Sequence, residues 1–175
     1  MNISVYLASS INGMISNRAN VPDWLSEEYG QGFLAICQQS KAVVMGRTTY
    51  EILIPDHLPL KDEGTLVVLT HQTAGKPSQS NVIFADKTPQ EIVRILEARG
   101  HDEAVIIGGT QTVSEFFRSG LVDELYLVVE PVLFGAGLPL LRDVDTEYKM
   151  TLLGVLKLNT QTVQLHYRLI QPISE

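Results

Sequence analysis

The sequence lacks the features that would assign it to several specialised classes of protein. It has one cysteine in 175 residues, so no internal disulfide can form and a reducing compartment is expected. No basic cluster offsets the formal net charge of −7, which argues against binding to nucleic acid or to an anionic membrane. The N-terminus carries no basic leader, and no apolar run approaches membrane-spanning length. We therefore expect a cytoplasmic protein without nucleic-acid or membrane partners.

Several sequence motifs that identify known binding sites are also missing. There is no Gly-x-Gly-x-x-Gly fingerprint and no Gly-Lys-Ser/Thr phosphate loop. A zinc deaminase needs His-x-Glu and Pro-Cys-x-x-Cys, which one cysteine cannot supply, and we predict no metal site. The apolar surroundings of Cys37 favour a buried structural thiol over a nucleophile.

The composition that remains is that of an ordinary globular protein. Apolar residues make up 45% of the chain and charged residues 19%, and the length suits one domain with a substantial core. We find no repeat, low-complexity tract or linker, so we assign residues 1–175 to a single domain.

Short apolar runs alternate with helical patterns through the first two-thirds of the chain, and the last third is rich in strands. Helices are expected from Asp23 towards Ser40 and after Thr88, which begins a capping box with Glu91. Strands are expected at 3–8, 41–45, 65–69, 82–85, 104–107 and 123–129, followed by a hairpin of 148–158 and 162–170. This order predicts an α/β fold with a mostly parallel sheet and antiparallel strands at the C-terminal end.

Three of the expected strands end in residues suited to a dinucleotide. Ligands of open α/β sheets bind at the carboxyl ends of strands, where glycine turns and helix N-termini present N–H groups to phosphates. Arg47 adds a fixed positive charge, and Thr70 and His71 could meet the additional phosphate of NADP. The candidate cofactor residues are Gly46, Arg47, Thr48, Thr49, Leu69, Thr70, His71, Gly108, Gly109, Thr110 and Gln111.

Each of these signals also has a plainer structural explanation. The Gly108-Gly109 pair could serve only the close packing of a strand and a helix. Arg47 could form an ion pair with Glu51, four residues further along a helix, and His71 could simply be solvated. Trp24 could anchor a loop as readily as line a pocket. The sequence leaves these alternatives open.

Four segments resemble one family in the right order along nearly the whole chain. The segments VVMGRTTYE at 43–51 and VIIGG at 105–109 resemble the nucleotide-binding strands of dihydrofolate reductases. The segments DELYL at 123–127 and EPVLFGAGLPLL at 130–141 are similar to the C-terminal reductase domain of bacterial bifunctional riboflavin biosynthesis proteins. The resemblance implies a three-layer dihydrofolate-reductase-like fold with NADPH as cofactor.

The same resemblance implies a substrate site beside the first strand. Asn12 and Trp24 are its candidate substrate residues, and Glu27, Glu28 and Glu130 are the candidate catalytic carboxylates. Asn12 replaces an Asp that is common in the riboflavin-type reductases. The carboxylates at 27 and 28 could alternatively do no more than complement a helix dipole, and Glu130 could lie on the surface.

The implied activity is hydride transfer from NADPH to a small-molecule substrate, as in 5-amino-6-(5-phosphoribosylamino)uracil reductase. A dihydrofolate or pteridine reductase on the same scaffold is the first alternative, and a non-catalytic nucleotide-binding module is the second. The resemblance also implies a homodimer, with the apolar C-terminal hairpin and the 131–141 loop as the expected contact surface.

Overall fold

The computed structural model describes residues 1–53, 58–60, 64–74 and 81–170, and all structural statements concern these residues. The strands are β1 (Asn2–Ser9), β2 (Met14–Asn17), β3 (Ala42–Gly46), β4 (Thr65–Leu69), β5 (Val82–Ala85), β6 (Glu103–Ile106), β7 (Glu124–Val129), β8 (Gly137–Pro139), β9 (Met150–Lys157) and β10 (Val163–Leu169). The helices are α1 (Glu27–Ser40), α2 (Arg47–Leu53), α3 (Pro89–Ala98) and α4 (Thr110–Arg118).

Eight of the strands form one sheet in the order β5-β4-β3-β6-β1-β7-β10-β9. The first six strands of this order run parallel to their neighbours. The last two pair antiparallel, with Val163 of β10 opposite both Val129 and Lys157. The expected parallel sheet with an antiparallel C-terminal hairpin is therefore confirmed.

Helices cover both faces of the sheet and give the fold three layers. Phe33 and Cys37 of α1 and Tyr50 of α2 pack on one face, whereas α3 and α4 pack on the other. Cys37 is fully buried, and this burial raises the pKa of its thiol to about 12. The thiol is thus protonated at neutral pH and inaccessible, in agreement with a structural role.

Helix α1 begins at Glu27, later than the Asp23 start expected from the sequence. Ser26 is the N-cap with an extended backbone, and its Oγ accepts a hydrogen bond of 3.2 Å from the backbone N–H of Tyr29. A Ser with this geometry satisfies one of the free N–H groups of the first turn, whereas Asp23 lies too early to do so. At α3, the expected capping box of Thr88 and Glu91 is present.

A second, two-stranded sheet formed by β2 and β8 is not predicted by the sequence pattern. The glycine-bearing segment 130–137 reads as a loop in the sequence, but Gly137 pairs with Asn17. A Cβ at Gly137 would collide with the carbonyl oxygen of Ser16, so only glycine allows this close pairing. The three-residue strand β8 is too short for a periodic signal. No helix of the described residues is long and apolar enough to cross a membrane.

Candidate functional site

A cleft of about 1210 Å³ opens where strands β3, β4 and β6 end. Parallel strands place their carboxyl ends at one edge of the sheet, so residues distant in sequence meet there. All eleven candidate cofactor residues line this cleft, as do Trp24 and Glu27. We call the part formed by 46–49, 69–72, 85–87 and 108–112 the glycine half, and the part formed by 15–34 the aromatic half.

The glycine half is built around a close approach of two strand ends. The backbone N–H of Gly46 donates a 2.8 Å hydrogen bond to the carbonyl of Gly108. A Cβ at Gly46 would lie 2.9 Å from Thr112 Oγ1, and one at Gly108 would lie 3.3 Å from Thr49 Oγ1. Gly108 also has a φ of +120°, which side chains rarely adopt, and its bond to Gly109 is cis. The positive φ favours glycine at position 108, and threonine hydroxyls flank the space beside both glycines.

Helix α4 starts inside the cleft without a side-chain cap. Its N-cap is Gly109, which has no side chain to accept from the first N–H groups. Such a terminus attracts anions, because its N–H groups and the helix dipole point at the same place. The hydroxyl of Thr110, the first residue of α4, donates a 2.6 Å bond to the carbonyl of Pro139 in β8. The missed second sheet thus fixes the start of this helix.

Four basic side chains line the cleft, of which the sequence analysis had singled out two. Arg47 Nη1 lies 3.4 Å from Glu51 Oε1, so the helical ion pair considered from the sequence is present. Arg47 also lines the cleft. His71 Nδ1 lies 2.8 Å from Asp86, but both side chains are more than half exposed. Lys87 and Arg142 also line the cleft and were missed, because neither belongs to a recognisable motif.

Arg142 differs from the other cations of the cleft because it forms no ion pair with any described residue. Its backbone N–H donates a 2.9 Å bond to Ser114 Oγ of α4, which ties this loop to the helix. A guanidinium without a carboxylate partner is available to a bound anion. This residue follows the short strand β8, so its position beside α4 depends on the pairing that the sequence did not reveal.

The aromatic half is more apolar and lies against α1. Trp24 packs edge-on against Phe134, with ring centroids 5.1 Å apart. Tyr29 stacks on Tyr6 at 5.4 Å. Burial raises the pKa of the Tyr29 phenol well above its ordinary value, and that of Tyr6 to about 12, so both phenols stay neutral. Flat neutral rings beside apolar side chains favour a planar ligand over a highly charged one.

The structure places Glu130 away from the lining of the cleft. Its side chain is 1% exposed, and it accepts three hydrogen bonds. The backbone N–H and the hydroxyl of Ser26 donate to Oε1 at 2.9 and 2.7 Å, and the hydroxyl of Thr162 donates to Oε2 at 2.9 Å. The alternative that Glu130 lies on the surface is therefore wrong. Because the Glu130 carboxylate is buried and does not line the cleft, the geometry gives no support to the predicted catalytic role of Glu130.

Glu28 and Asn12 also lie outside the lining. Asn159 Nδ2 donates a 2.9 Å bond to Glu28, and this hydrogen bond lowers the pKa of the Glu28 carboxyl. Asn12 Nδ2 donates to the carbonyl of Phe134 at 2.7 Å, and Asn12 Oδ1 accepts from the Phe134 N–H at 3.2 Å. Both side chains are thus engaged with the chain itself. Of the three predicted carboxylates, the cleft contains only Glu27.

Several solved structures share this fold. A riboflavin biosynthesis protein from Shewanella sp. PV-4 is 22% identical, with a TM-score of 0.80 over 97% of this chain and 99% of that one. The diaminohydroxyphosphoribosylaminopyrimidine deaminase/5-amino-6-(5-phosphoribosylamino)uracil reductase of Thermotoga maritima is 18% identical, with a TM-score of 0.76 over 97% of this chain and 56% of that one. The fold is thus the dihydrofolate-reductase-like three-layer fold.

The sequence itself establishes the family. Residues 2–164 match the RibD C-terminal domain, and the chain belongs to this family. It is 32% identical to the uncharacterized protein YwjB of Bacillus subtilis over 172 residues, which cover 93% of this chain and 95% of that protein. A second Bacillus subtilis relative, the uncharacterized protein YyaP, is 24% identical. The resemblance inferred from the four segments is therefore confirmed.

Proposed function

We propose that this protein is an NADPH-dependent reductase that transfers a hydride to a small heterocyclic or ribosylamino substrate. The observation that carries the proposal is the glycine half of the cleft. There, Gly46 and Gly108 lie where a Cβ would crowd threonine hydroxyls, and the uncapped start of α4 follows the carboxyl end of β6. Arg142, which forms no ion pair with any described residue, lines the same cleft. The reductase named in the Thermotoga maritima chain supplies the nearest activity, 5-amino-6-(5-phosphoribosylamino)uracil reduction.

The residues present fit a dinucleotide phosphate. The N–H groups at the start of α4 and the hydroxyls of Thr49 and Thr112 can hold a pyrophosphate, with Arg142 as its charge partner. Arg47, Thr70 and His71 lie in the same half and are assigned to the remaining phosphate. A bound reduced nicotinamide would supply the hydride, while the protein orients both reactants and excludes water.

The aromatic half is assigned to the substrate. Its Trp24 and Tyr29 rings suit a planar heterocycle, and Glu27 is the carboxylate assigned to proton transfer. Reduction of a carbon–nitrogen double bond consumes one hydride at carbon and one proton at nitrogen. The Glu27 side chain sits on the first turn of α1, where its charge also complements the helix dipole.

Two other functions make different predictions. A dihydrofolate or pteridine reductase would use the same cofactor but turn over folate. A nucleotide-binding module would bind the cofactor, and no substrate would cause the cofactor to be oxidised. The test follows NADPH absorbance with dihydrofolate and with the riboflavin precursor in parallel, after NADPH binding has been measured by calorimetry.

We expect NADPH binding and oxidation with the riboflavin precursor. Oxidation with dihydrofolate alone would establish the first alternative. Binding without oxidation by either substrate would support the binding module, and the absence of NADPH binding would refute the proposal. Glu27→Gln should lower kcat by about a hundredfold if Glu27 transfers the proton. Glu115→Gln, which removes a carboxylate of α4 that also lines the cleft, is the control and should leave kcat close to the wild-type value.

We also propose that the protein forms a homodimer through strand β9. This strand is the edge of the sheet, and Leu152, Leu153, Val155 and Leu156 are 41–59% exposed. An edge strand with exposed aliphatic side chains tends to pair with another strand. The same strand of a second copy can pair antiparallel with it about a two-fold axis, which is the symmetry of most dimers.

A further inference from the structure

Two polar clasps hold the entrance of α1, and the residues at their centres, Glu130 and Asn12, lie outside the lining of the cleft. We use the name entrance for residues 24–27, which include Trp24 and Glu27 of the aromatic half. The first clasp is Glu130 with its hydroxyl and backbone donors. The second is Asn12 with the backbone of Phe134, the ring of which contacts Trp24. Both clasps therefore act on the same short segment.

The first clasp joins three segments that are far apart in sequence. Glu130 lies directly after β7, and its backbone N–H donates a 2.9 Å bond to the carbonyl of Ser9 at the end of β1. Its carboxylate accepts from Ser26, the N-cap of α1, and from Thr162 in the turn of the C-terminal hairpin. The residue after the carboxyl end of β7 thus holds both the helix entrance and the hairpin turn.

The chemistry of this clasp favours a fixed structural position over a reactive one. Glu130 is 1% exposed and Thr162 is 3% exposed, so a substrate cannot reach the carboxylate without displacing its donors. No Lys, Arg or His of the described residues forms an ion pair with Glu130. Three donors and the positive end of α1 instead offset its negative charge. Removal of the charge leaves these donors unsatisfied and frees the entrance.

The second clasp acts on Trp24 through an aromatic contact. Asn12 makes two hydrogen bonds with the backbone of Phe134, and its Oδ1 also accepts a 2.8 Å bond from Ser10 Oγ. Phe134 is thereby fixed beside β1. The Phe134 ring packs edge-on against Trp24, with ring centroids 5.1 Å apart. Asn12 therefore restrains the indole of Trp24 through Phe134.

We propose that Glu130 and Asn12 are positioning residues, which set the location of Trp24 and Glu27 and do not touch the ligand. The assignment of the aromatic half to the substrate rests on the proposed function, but the clasps themselves can be tested in the protein alone. Trp24 is the sole tryptophan of the chain, and its fluorescence therefore reports on the entrance without any label.

The first experiment measures acrylamide quenching and emission maximum of Trp24 in the ligand-free protein, well below its unfolding temperature. Glu130→Gln should raise the quenching constant by about twofold and shift the emission to longer wavelength, because the entrance becomes mobile and hydrated. Thr162→Val should give a smaller change of the same sign. Thr162→Ser keeps the hydroxyl and should restore the wild-type signal. Thr160→Val, an exposed position in the same turn, is the matched control.

Asn12→Ala tests the second clasp at an exposed site, where loss of folding is not expected. It should also increase quenching of Trp24, because Phe134 loses two backbone contacts. If Glu130→Gln fails to fold, the threonine pair and Asn12→Ala carry the test. Unchanged quenching in the folded Glu130→Gln, or in both Thr162→Val and Asn12→Ala, overturns the proposal.

A second measurement separates positioning from catalysis and from the proposed function. Calorimetric affinity for NADPH should stay within about twofold of wild type in all these variants, because the glycine half does not use the clasps. Equal weakening of NADPH binding would show that the clasps hold the whole cleft and would contradict their specific role. Absence of NADPH binding in the wild type refutes the proposed function but leaves the quenching result unaffected.

Discussion

The glycine half and the aromatic half of the cleft are built in different ways. In the glycine half, each contributing segment lies at the carboxyl end of a parallel strand, and its residues are neighbours in sequence. In the aromatic half, the entrance at 24–27 is held by Glu130 and Asn12. Ser26 donates two hydrogen bonds to Glu130, which is 104 residues away and is itself held by Thr162. Local backbone geometry therefore determines the shape of the glycine half, whereas polar contacts between distant segments determine that of the aromatic half.

This difference separates the residues that can contact a ligand from those that position other residues. A strand end that is also a helix start can present N–H groups directly to a ligand. A helix entrance that lies against a loop is not positioned by a strand end, so side chains from distant segments must fix it. Glu130 and Asn12 serve in this way, although their sequence context resembles that of a substrate site. Mutations in the two halves should therefore have separable effects.

The largest expected effect is that of Gly108→Ala in the glycine half. Alanine is strained at a φ of +120°, and its Cβ would lie 3.3 Å from Thr49 Oγ1. We expect a loss of about 1–3 kcal/mol in the free energy of unfolding and a decrease of about tenfold in NADPH affinity. Gly100→Ala is the matched control, since its φ is +84° but a Cβ there would meet open space.

Chemical denaturation and calorimetry measure these two quantities. Gly100→Ala should lose stability through strain alone and should bind NADPH like the wild type. If Gly108→Ala retains wild-type affinity for NADPH, the glycine pair serves only packing, and the assignment of the glycine half to the cofactor is contradicted.

Arg47→Ala should weaken NADPH binding by about tenfold, and NADH binding much less, if Arg47 meets the additional phosphate. The ion pair with Glu51 is half exposed, so its loss should change stability little. Calorimetric titration with both cofactors provides the measurement, and Arg94→Ala on α3, which does not line the cleft, is the control. Equal affinities of the wild type for NADPH and NADH would contradict the phosphate assignment of Arg47 and Thr70.

Val155→Lys tests whether strand β9 of the C-terminal hairpin pairs with the same strand of a second copy of the chain. A charge on strand β9 at this 59% exposed position should turn a dimer into a monomer at micromolar concentration. Light scattering reports the mass. Leu133→Lys places the same charge at a 69% exposed position of the 131–141 loop. It should leave the dimer intact if the contact is made by strand β9 and not by this loop. A monomeric wild type would refute the dimer.

The smallest effect concerns pH and the contact of Glu28 with Asn159. Because this hydrogen bond lowers the pKa of Glu28 in the folded chain, its stabilising contribution is complete above the pKa of the unfolded chain. The contribution is lost as the pH falls through the lower, folded pKa. Thermal unfolding of wild type and Glu28→Gln should therefore differ in its pH dependence only in this acidic range. Glu27→Gln is the control, and identical pH profiles for Glu28→Gln and wild type would contradict the contact.

Much of the fold could be predicted because its signals are local. The apolar runs at β3, β4 and β6, the capping box at Thr88 and the glycines that end two strands are all visible within a few residues. Strand β8 could not be predicted, since its three residues pair with β2 from the other end of the chain. Arg142 was missed for the same reason.

The sequence alone determined the alternation of strands and helices, the glycine turns and the family, because side-chain periodicity, backbone freedom and motif order are properties of neighbouring residues. Only the tertiary structure decided that Glu27 faces the cleft while Glu28 and Glu130 do not. All three are carboxylates beside the same helix entrance. Which of them meets a ligand depends on the distant donors Asn159 and Thr162, which the folded chain alone brings into hydrogen-bonding distance.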